Sequence, residues 1–351
     1  MSRVVISSKT QRLLLFTTTG MLAAAGFGVS VHAQYQAPEL PQLVRPLQGF
    51  TEQGLEALPV RSNVWAIFGA GGNLTVSVGT DGIAMVDTGR ADMSDKVLAV
   101  IKRLGTGVDP TPDSPPVPIR FIVNTHVHDE NTGGNEKIQA AAEFVRGGEH
   151  IMAHENVLAR MSEPLPGQKT SPRPSEAWPT DTFRGEQTKF GRFFNGEGVQ
   201  LIHVPSAHTD GDVIVWFRYS DVMAVGDLFS TTGWPVIDLE RGGSFQGIID
   251  GLNLILKTGL SGFRGEGGTT VIPGHGRICN LSDVGFYRDM VTIIRDRILD
   301  GVKRGMTLEQ VKAAKPTQGW DNQYGSKTGP WTTDMFIEAA YRSLSKNKAK
   351  S

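Results

Sequence analysis

The chain has 351 residues and a nearly balanced charge, 35 Lys and Arg against 36 Asp and Glu. That balance excludes the basic footprint of a nucleic-acid-binding protein, and the length suits one α/β domain with insertions. Cys279 is the single cysteine, which excludes an intrachain disulfide and leaves stability to packing and to metal.

Arg3, Lys9 and Arg12 precede an apolar stretch from Leu13 to Val29 that runs on to Val31-His32-Ala33. A basic start, an apolar middle and a small-residue cleavage point describe a secretory signal peptide over residues 1–33, and hence a secreted or periplasmic protein. The stretch is shorter than the ~20 residues that span a bilayer. No later stretch is longer, so no stable membrane association is expected. Residues 34–60, with Pro38, Pro41, Pro46 and Pro59, read as an extended arm ahead of a domain that starts at residue 61.

Three strand-like runs follow, Val64 to Phe68, Leu74 to Val78 and Ile83 to Val86, separated by glycine-rich turns as in a meander of hairpins. The third ends in Asp87-Thr88-Gly89, where the carboxylate either caps the next helix or orients a ligand. Val97, Val100, Ile101 and Leu104 form a helical stripe within 93–104. The β-branched run Ile119 to Val123 is a buried strand that opens into Thr125-His126-Val127-His128-Asp129-Glu130-Asn131-Thr132-Gly133-Gly134-Asn135. A helix over 136–145, a strand over 151–153 and a helix over 155–161 come next.

Residues 162–190 carry five prolines and no sustained period, which marks a functional lid or a disordered insertion. Trp178 within it, and Trp65 in the first strand, are the aromatics placed to line a substrate. The second half repeats the rhythm. Strands are expected at 191–194, 199–204, 213–217, 222–225 and 269–273, with helices at 244–257, 281–304, 308–314 and 334–345. Residues 305–351 form a C-terminal helical extension. Two such halves pack as two sheets with helices on their outer faces, and their polar loops meet at one edge.

Ligand-type side chains recur at the strand ends. His126 and His128 sit at i and i+2. His208 lies in Ser206-Ala207-His208-Thr209-Asp210-Gly211-Asp212, Asp227 follows a strand after Gly226, and His275 stands between Gly274 and Gly276. Imidazole nitrogen with carboxylate oxygen suits Zn²⁺ and similar borderline metals. Cys279 reads as a small buried filler rather than a soft ligand.

In order, Asp87-Thr88-Gly89, Asn124-Thr125-His126-Val127-His128, Thr132-Gly133-Gly134-Asn135, His208-Thr209-Asp210-Gly211-Asp212, Gly226-Asp227 and Gly274-His275-Gly276 resemble the motifs of the metallo-β-lactamase superfamily, over residues 61–304. The resemblance implies an αββα sandwich of two mostly antiparallel sheets with a metal site at one sheet edge. It also implies zinc, usually two ions, and hydrolysis by a metal-bound hydroxide. Carried over by position, His126, His128 and His208 form the first site, while Asp227 and His275 belong to the second. The chain departs from the family where Glu130 and Asn131 replace the usual Asp and His. Glu130 still offers a carboxylate, as ligand or, with Asp227, as the group that moves protons. Asn131 is a poor ligand and, with Asp87, is expected beside the ligands rather than on the metal, so the second ion's site is altered.

The expected activity is exported, zinc-dependent hydrolysis of an ester, lactone, thioester or β-lactam amide in a small-molecule substrate. The alternatives are an oxidoreductase resembling mono-iron persulfide dioxygenases and a binding protein of the same fold with weakened turnover.

Overall fold

Runs of apolar residues interrupted by glycine, asparagine and aspartate turns build two sheets. The computed structural model describes residues 48–348, apart from 109–110, 112, 143–150, 165–170 and 260–267. The expected signal peptide at 1–33 and the start of the arm therefore lie outside the described residues. The first sheet holds β1 (Phe50–Glu52), β2 (Leu55–Arg61), β3 (Val64–Phe68), β4 (Leu74–Gly79), β5 (Gly82–Val86), β6 (Ile119–Val123), β7 (Ile151–His154) and β8 (Asp181–Phe183), in that spatial order. The second holds β9 (Gln187–Lys189), β10 (Val199–Val204), β11 (Asp212–Phe217), β12 (Val222–Ala224), β13 (Thr270–Ile272) and β14 (Cys279–Asn280), with β14 and β9 at its edges. Most pairings are antiparallel, but β5–β6–β7–β8 and β12–β13 run parallel.

The period-2 alternation of strands sorts their side chains between two faces. On β3, Val64 and Ala66 face the layer between the sheets, where they join Val213, Val215 and Phe217 of β11. Trp65 and Ile67 point the other way, against α1 (Ser94–Gly105) through Val97, Val100 and Ile101. The α1 stripe thus buries the face that its sequence periodicity marks. Three further helices, α2 (Asp129–Thr132), α3 (Asn135–Ala140) and α4 (Glu155–Ser162), border the first sheet's ligand loop and its parallel strands. On the second sheet, Ile202, Ile214, Met223 and Val271 pack under α5 (Phe245–Thr258) and α6 (Leu281–Lys303). The result is the expected four-layer sandwich. Ser244 and Asn280 cap α5 and α6 by accepting from backbone N–H groups of the first turn.

Four expectations are corrected. Residues 50–61, read as part of an extended arm, are the strands β1 and β2, because Leu55 and Ala57 alternate into the first sheet's core despite Pro59. The proline-rich stretch 162–190 contains β8 and β9, edge strands of the two sheets, rather than a structureless insertion. Proline and polar residues suit edges, where one side of the strand needs no ladder partner. The expected C-terminal helical extension packs into the same core. Val311 of α7 (Leu308–Ala313) and Phe336, Ile337, Ala340 and Leu344 of α8 (Thr333–Lys348) belong to the core under α5 and α6. At 191–194 the expected strand is a turn, and the helix after the ligand loop spans Asn135–Ala140. Among the described residues, no helix is long and apolar enough to cross a membrane.

The two sheets also meet through a polar stack. His154 at the end of β7 lies flat on His203 of β10, with ring centroids 3.5 Å apart and planes inclined by 7°. Glu155 and Asp210 lie nearby, and Phe183 meets the His154 ring edge-on. Burial, and then the facing His203, hold His154 down at about 4. Between that value and the ordinary 6.5 the unfolded chain binds a proton that the folded chain refuses. This stability is therefore complete above the upper value and is lost as the pH falls through the window. His154→Phe should reduce the loss of urea midpoint on going from about pH 7 to about pH 5. An unaltered pH slope would show that the stack is not its source.

Candidate metal centre

The ligand-type residues lie on the loops and short helices that follow the C-terminal ends of strands. Parallel pairing puts Val86 of β5 beside Val123 of β6, so Asp87 and the loop from Asn124 emerge together. In the second sheet Ala224 of β12 pairs with Ile272 of β13, which brings Gly226-Asp227 alongside Gly274-His275. The Gly274 N–H donates to the Gly226 carbonyl at 2.7 Å. A Cβ on Gly274 would overlap Asp227 Oδ1, so only glycine allows the two loops to approach this closely. His208 comes from the loop between β10 and β11.

The loops are held from behind by buried polar groups. Asp87 accepts from the Thr125 N–H and Thr125 Oγ1, each at 2.7 Å, and from Asn131 Nδ2 at 2.9 Å. Burial pushes its carboxyl up to about 7 against these three hydrogen bonds. Asn135 and Asn124 exchange side-chain hydrogen bonds of 2.8 and 3.1 Å, and Thr88 Oγ1 donates to Asn135 Oδ1. These contacts account physically for the Asp87-Thr88-Gly89 and Thr132-Gly133-Gly134-Asn135 motifs. They support the loop and do not touch the centre of the ligand cluster.

Two groups of ligand atoms form in front of this frame. His126, His128, His208 and Asp227 each place one ligand atom within 4.8 Å of the others, and so do Glu130, Asp227 and His275. Asp227 belongs to both. Its Oδ2 stands 3.9 Å from His126 Nε2, 3.8 Å from His208 Nε2 and 3.5 Å from His275 Nε2.

The outer ring nitrogens of the histidine trio are already committed. His208 Nδ1 lies 2.8 Å from the Val236 carbonyl, which can only accept, so that nitrogen carries the proton. His128 Nε2 lies 2.8 Å from Asp238 Oδ2 and donates to it. Thr125 Oγ1 spends its proton on Asp87 and so accepts from His126 Nδ1 at 3.0 Å. The three remaining nitrogens are lone-pair acceptors turned toward one another, with His128 Nδ1 only 2.9 Å from His208 Nε2. His126 Nε2 and Asp227 Oδ1 are buried with no hydrogen-bond partner. Burial, and then His208, keep His126 well below its ordinary value and therefore neutral. An acceptor-only set of three imidazoles and a carboxylate, part of it orphaned and buried, fits a divalent cation.

The second group is more open. Hydrogen bonding to Asp227 and then to Glu130 pushes His275 up to about 10. Burial alone would raise Asp227, but His275, His126 and His208 together hold it well below the usual carboxylate range. Two carboxylates beside a cationic imidazole are a set in which a metal ion can replace the proton.

Asn131 stands outside both groups. Its side chain is fully buried, its amide donates to Asp87 and its Oδ1 has no partner. Asp129, next to it, is exposed and pairs with Arg173 rather than facing the cluster. Neither tryptophan lines the centre. Trp65 is a core residue between β3 and α1, and Trp178 packs on Val127, Ala153, Val157 and Met161 while donating to the Arg173 carbonyl. Their large apolar surfaces are used in packing.

Two positioning residues escape a reading of the sequence. Asp238 orients His128 and also accepts from Arg241 Nη1 at 2.8 Å, yet no motif surrounds it. Asn73, which looks like a turn residue, clamps the His275 loop. Its N–H donates to the Gly274 carbonyl at 2.7 Å, and its Nδ2 donates to the Pro273 and Gly276 carbonyls, both at 2.9 Å. The Gly71-Gly72-Asn73 run was the one available signal.

The family model of the metallo-beta-lactamase superfamily matches residues 68–275. No curated protein matches the chain. Among solved structures, the chain is similar to the stereoselective inverting sec-alkylsulfatase Pisa1 from Pseudomonas sp., at 15% identity and a TM-score of 0.52. The match covers 83% of this chain but 50% of that one, so the chain spans about half the length of the sulfatase. It is also similar to a metallo-beta-lactamase from Pontibacter korlensis, at 20% identity and a TM-score of 0.47, over 68% of this chain and 99% of that one. With more than half of its length matched by the family model, and with histidines and an aspartate gathered at the edge of a two-sheet sandwich, the chain belongs to the metallo-beta-lactamase superfamily, whose fold is that of metal-dependent hydrolases.

Proposed function

We propose that the chain is an exported, zinc-dependent hydrolase that cleaves an ester, lactone, thioester or β-lactam amide bond of a small molecule. The observation that supports it most directly is the convergence of His126, His128, His208 and Asp227 through atoms that can only accept. Export rests on the basic-apolar-small pattern of residues 1–33.

A zinc ion held by this group supplies a Lewis acid and an activated water at neutral pH. The protein's own contribution is to fix the ligands. Asp238, the Val236 carbonyl and Thr125 hold the three imidazoles in the tautomers that present a lone pair. Glu130 is the carboxylate with solvent access, its side chain 40% exposed, and it stands 3.4 Å from His275. It takes a proton from the attacking water or passes one to the leaving group. Asp227 is enclosed and touches both groups, so its role is to hold them in register. Glu130, Asp227 and His275 form an oxygen-rich set that would hold a second ion and tolerate a harder one than zinc.

His126→Ala and His208→Ala should each lose bound zinc and reduce turnover of a chromogenic ester, lactone or β-lactam panel by more than about 100-fold. Elemental analysis of protein purified without added metal reads the first effect. Full zinc content in both variants would remove this site, and iron accompanied by oxygen uptake would replace hydrolysis by oxidation. Asp238→Ala leaves every ligand in place but frees the His128 ring, and should cost about 10–100-fold in zinc affinity or activity. Zinc affinity equal to that of the parent would show that His128 needs no such support.

A further inference from the structure

We propose that the helices α6 and α8 are positioning elements of the metal centre, acting through Trp234 and Gly233 on the segment that orients His128 and His208. The proposal rests on the zinc ligand set above but not on hydrolysis. Two of the three imidazoles take their outer hydrogen bonds from one short stretch. The Val236 carbonyl accepts from His208 Nδ1 and Asp238 Oδ2 from His128 Nε2, each at 2.8 Å. The Asp238 N–H donates in turn to the His208 carbonyl at 3.0 Å. A displacement of residues 236–238 therefore reaches both rings at once.

No ladder holds this stretch. Residues 234–238 belong to neither strand nor helix, and Pro235 has no N–H to donate. Its place is set by side chains that reach into the core under α5 and α6, where Trp234 and Ile237 are each 3% exposed. The Trp234 indole lies flat on Phe336 of α8, with ring centroids 5.2 Å apart and planes inclined by 9°. Its Nε1 donates to Thr333 Oγ1, also on α8, at 3.0 Å. Just before it in the chain, the Gly233 carbonyl accepts from the Tyr287 hydroxyl of α6 at 3.0 Å.

Packing alone accounts for a buried indole but not for the two hydrogen bonds on either side of it. A stacked ring can slide in its own plane, and a directional bond at its N–H stops that motion. Losing the acceptor would leave a donor unpaired and cost the grip its direction. Pro235, with its locked φ, then stiffens the link from Trp234 to Val236 and on to Asp238. Both helices lie beyond residue 275, where the family match ends. The orientation of two ligands is thus supported from outside the part of the chain that carries them.

Tyr287→Phe and Thr333→Val each remove one hydroxyl of the grip and keep most of the side-chain volume, whereas Thr333→Ser keeps the acceptor. Val311→Ala, in α7 of the same core, is the control for lost packing. Zinc affinity is read by competition with a chromophoric chelator, and stability by urea unfolding of the metal-free proteins. Tyr287→Phe and Thr333→Val should each weaken zinc binding about 3–10-fold, less than the loss of a residue bonded directly to a ligand. Thr333→Ser should bind as the parent does, and Val311→Ala should lose stability while keeping the parent affinity. Should Thr333→Val not fold, Tyr287→Phe decides alone. Parent affinity in a folded hydroxyl variant removes its helix from the proposal, and an equal loss of affinity in Val311→Ala reduces the whole grip to packing. A parent that binds no zinc removes the metal centre and the proposal together. Zinc binding weakened in the hydroxyl variants, with no substrate turned over by the parent, leaves the positioning role standing and removes only the hydrolase reading.

Discussion

Three imidazoles that turn their lone pairs toward one point repel one another unless a positive charge stands between them, and most of the polar architecture serves to hold them there. Each ring has one nitrogen tied to a group that fixes its tautomer: Thr125 for His126, Asp238 for His128 and the Val236 carbonyl for His208. The free nitrogens then have no alternative partner, and His126 Nε2 is buried with none at all. Such an arrangement is unfavourable for an empty protein. It is what a cation requires, because the ligands need not reorganise when the ion arrives.

The sandwich supplies the positions at some local expense. Parallel pairing of β5 with β6, and of β12 with β13, delivers the ligand loops at one sheet edge with their glycines against each other. Asp87 sits at the turn with φ 62°, a left-handed conformation that a non-glycine residue adopts only at a cost of about 1–3 kcal/mol. Its buried carboxyl is pushed up to about 7 even with three donors around it. Both are the mark of a residue kept for the loop it braces rather than for stability. Asn131 belongs to the same brace, its amide donating to Asp87.

The cleft beside the ligands is lined by His128 and Glu130 and by Arg90, Arg160, Arg173 and Arg241, with Asp92 and Asp129 paired to two of the arginines. Asp238 links the cleft to the ligands, because one carboxylate orients both the His128 ring and the Arg241 guanidinium.

Strand and helix periods and the glycine-bounded turns are local properties, and the sequence by itself determined the two runs of strands with their helices, while the order of the ligand motifs, through its family resemblance, implied the sandwich and the ligand set. Period-2 and period-3.6 patterns carry that information because they state which face of an element must be buried. Tertiary structure decided what lies between elements distant in the chain. It put Trp65 and Trp178 into packing, made edge strands of the proline-rich stretch, and recruited Asp238 and Asn73. An aspartate after an unremarkable turn has no periodic signature. Its role exists only once folding brings an imidazole within hydrogen-bonding reach.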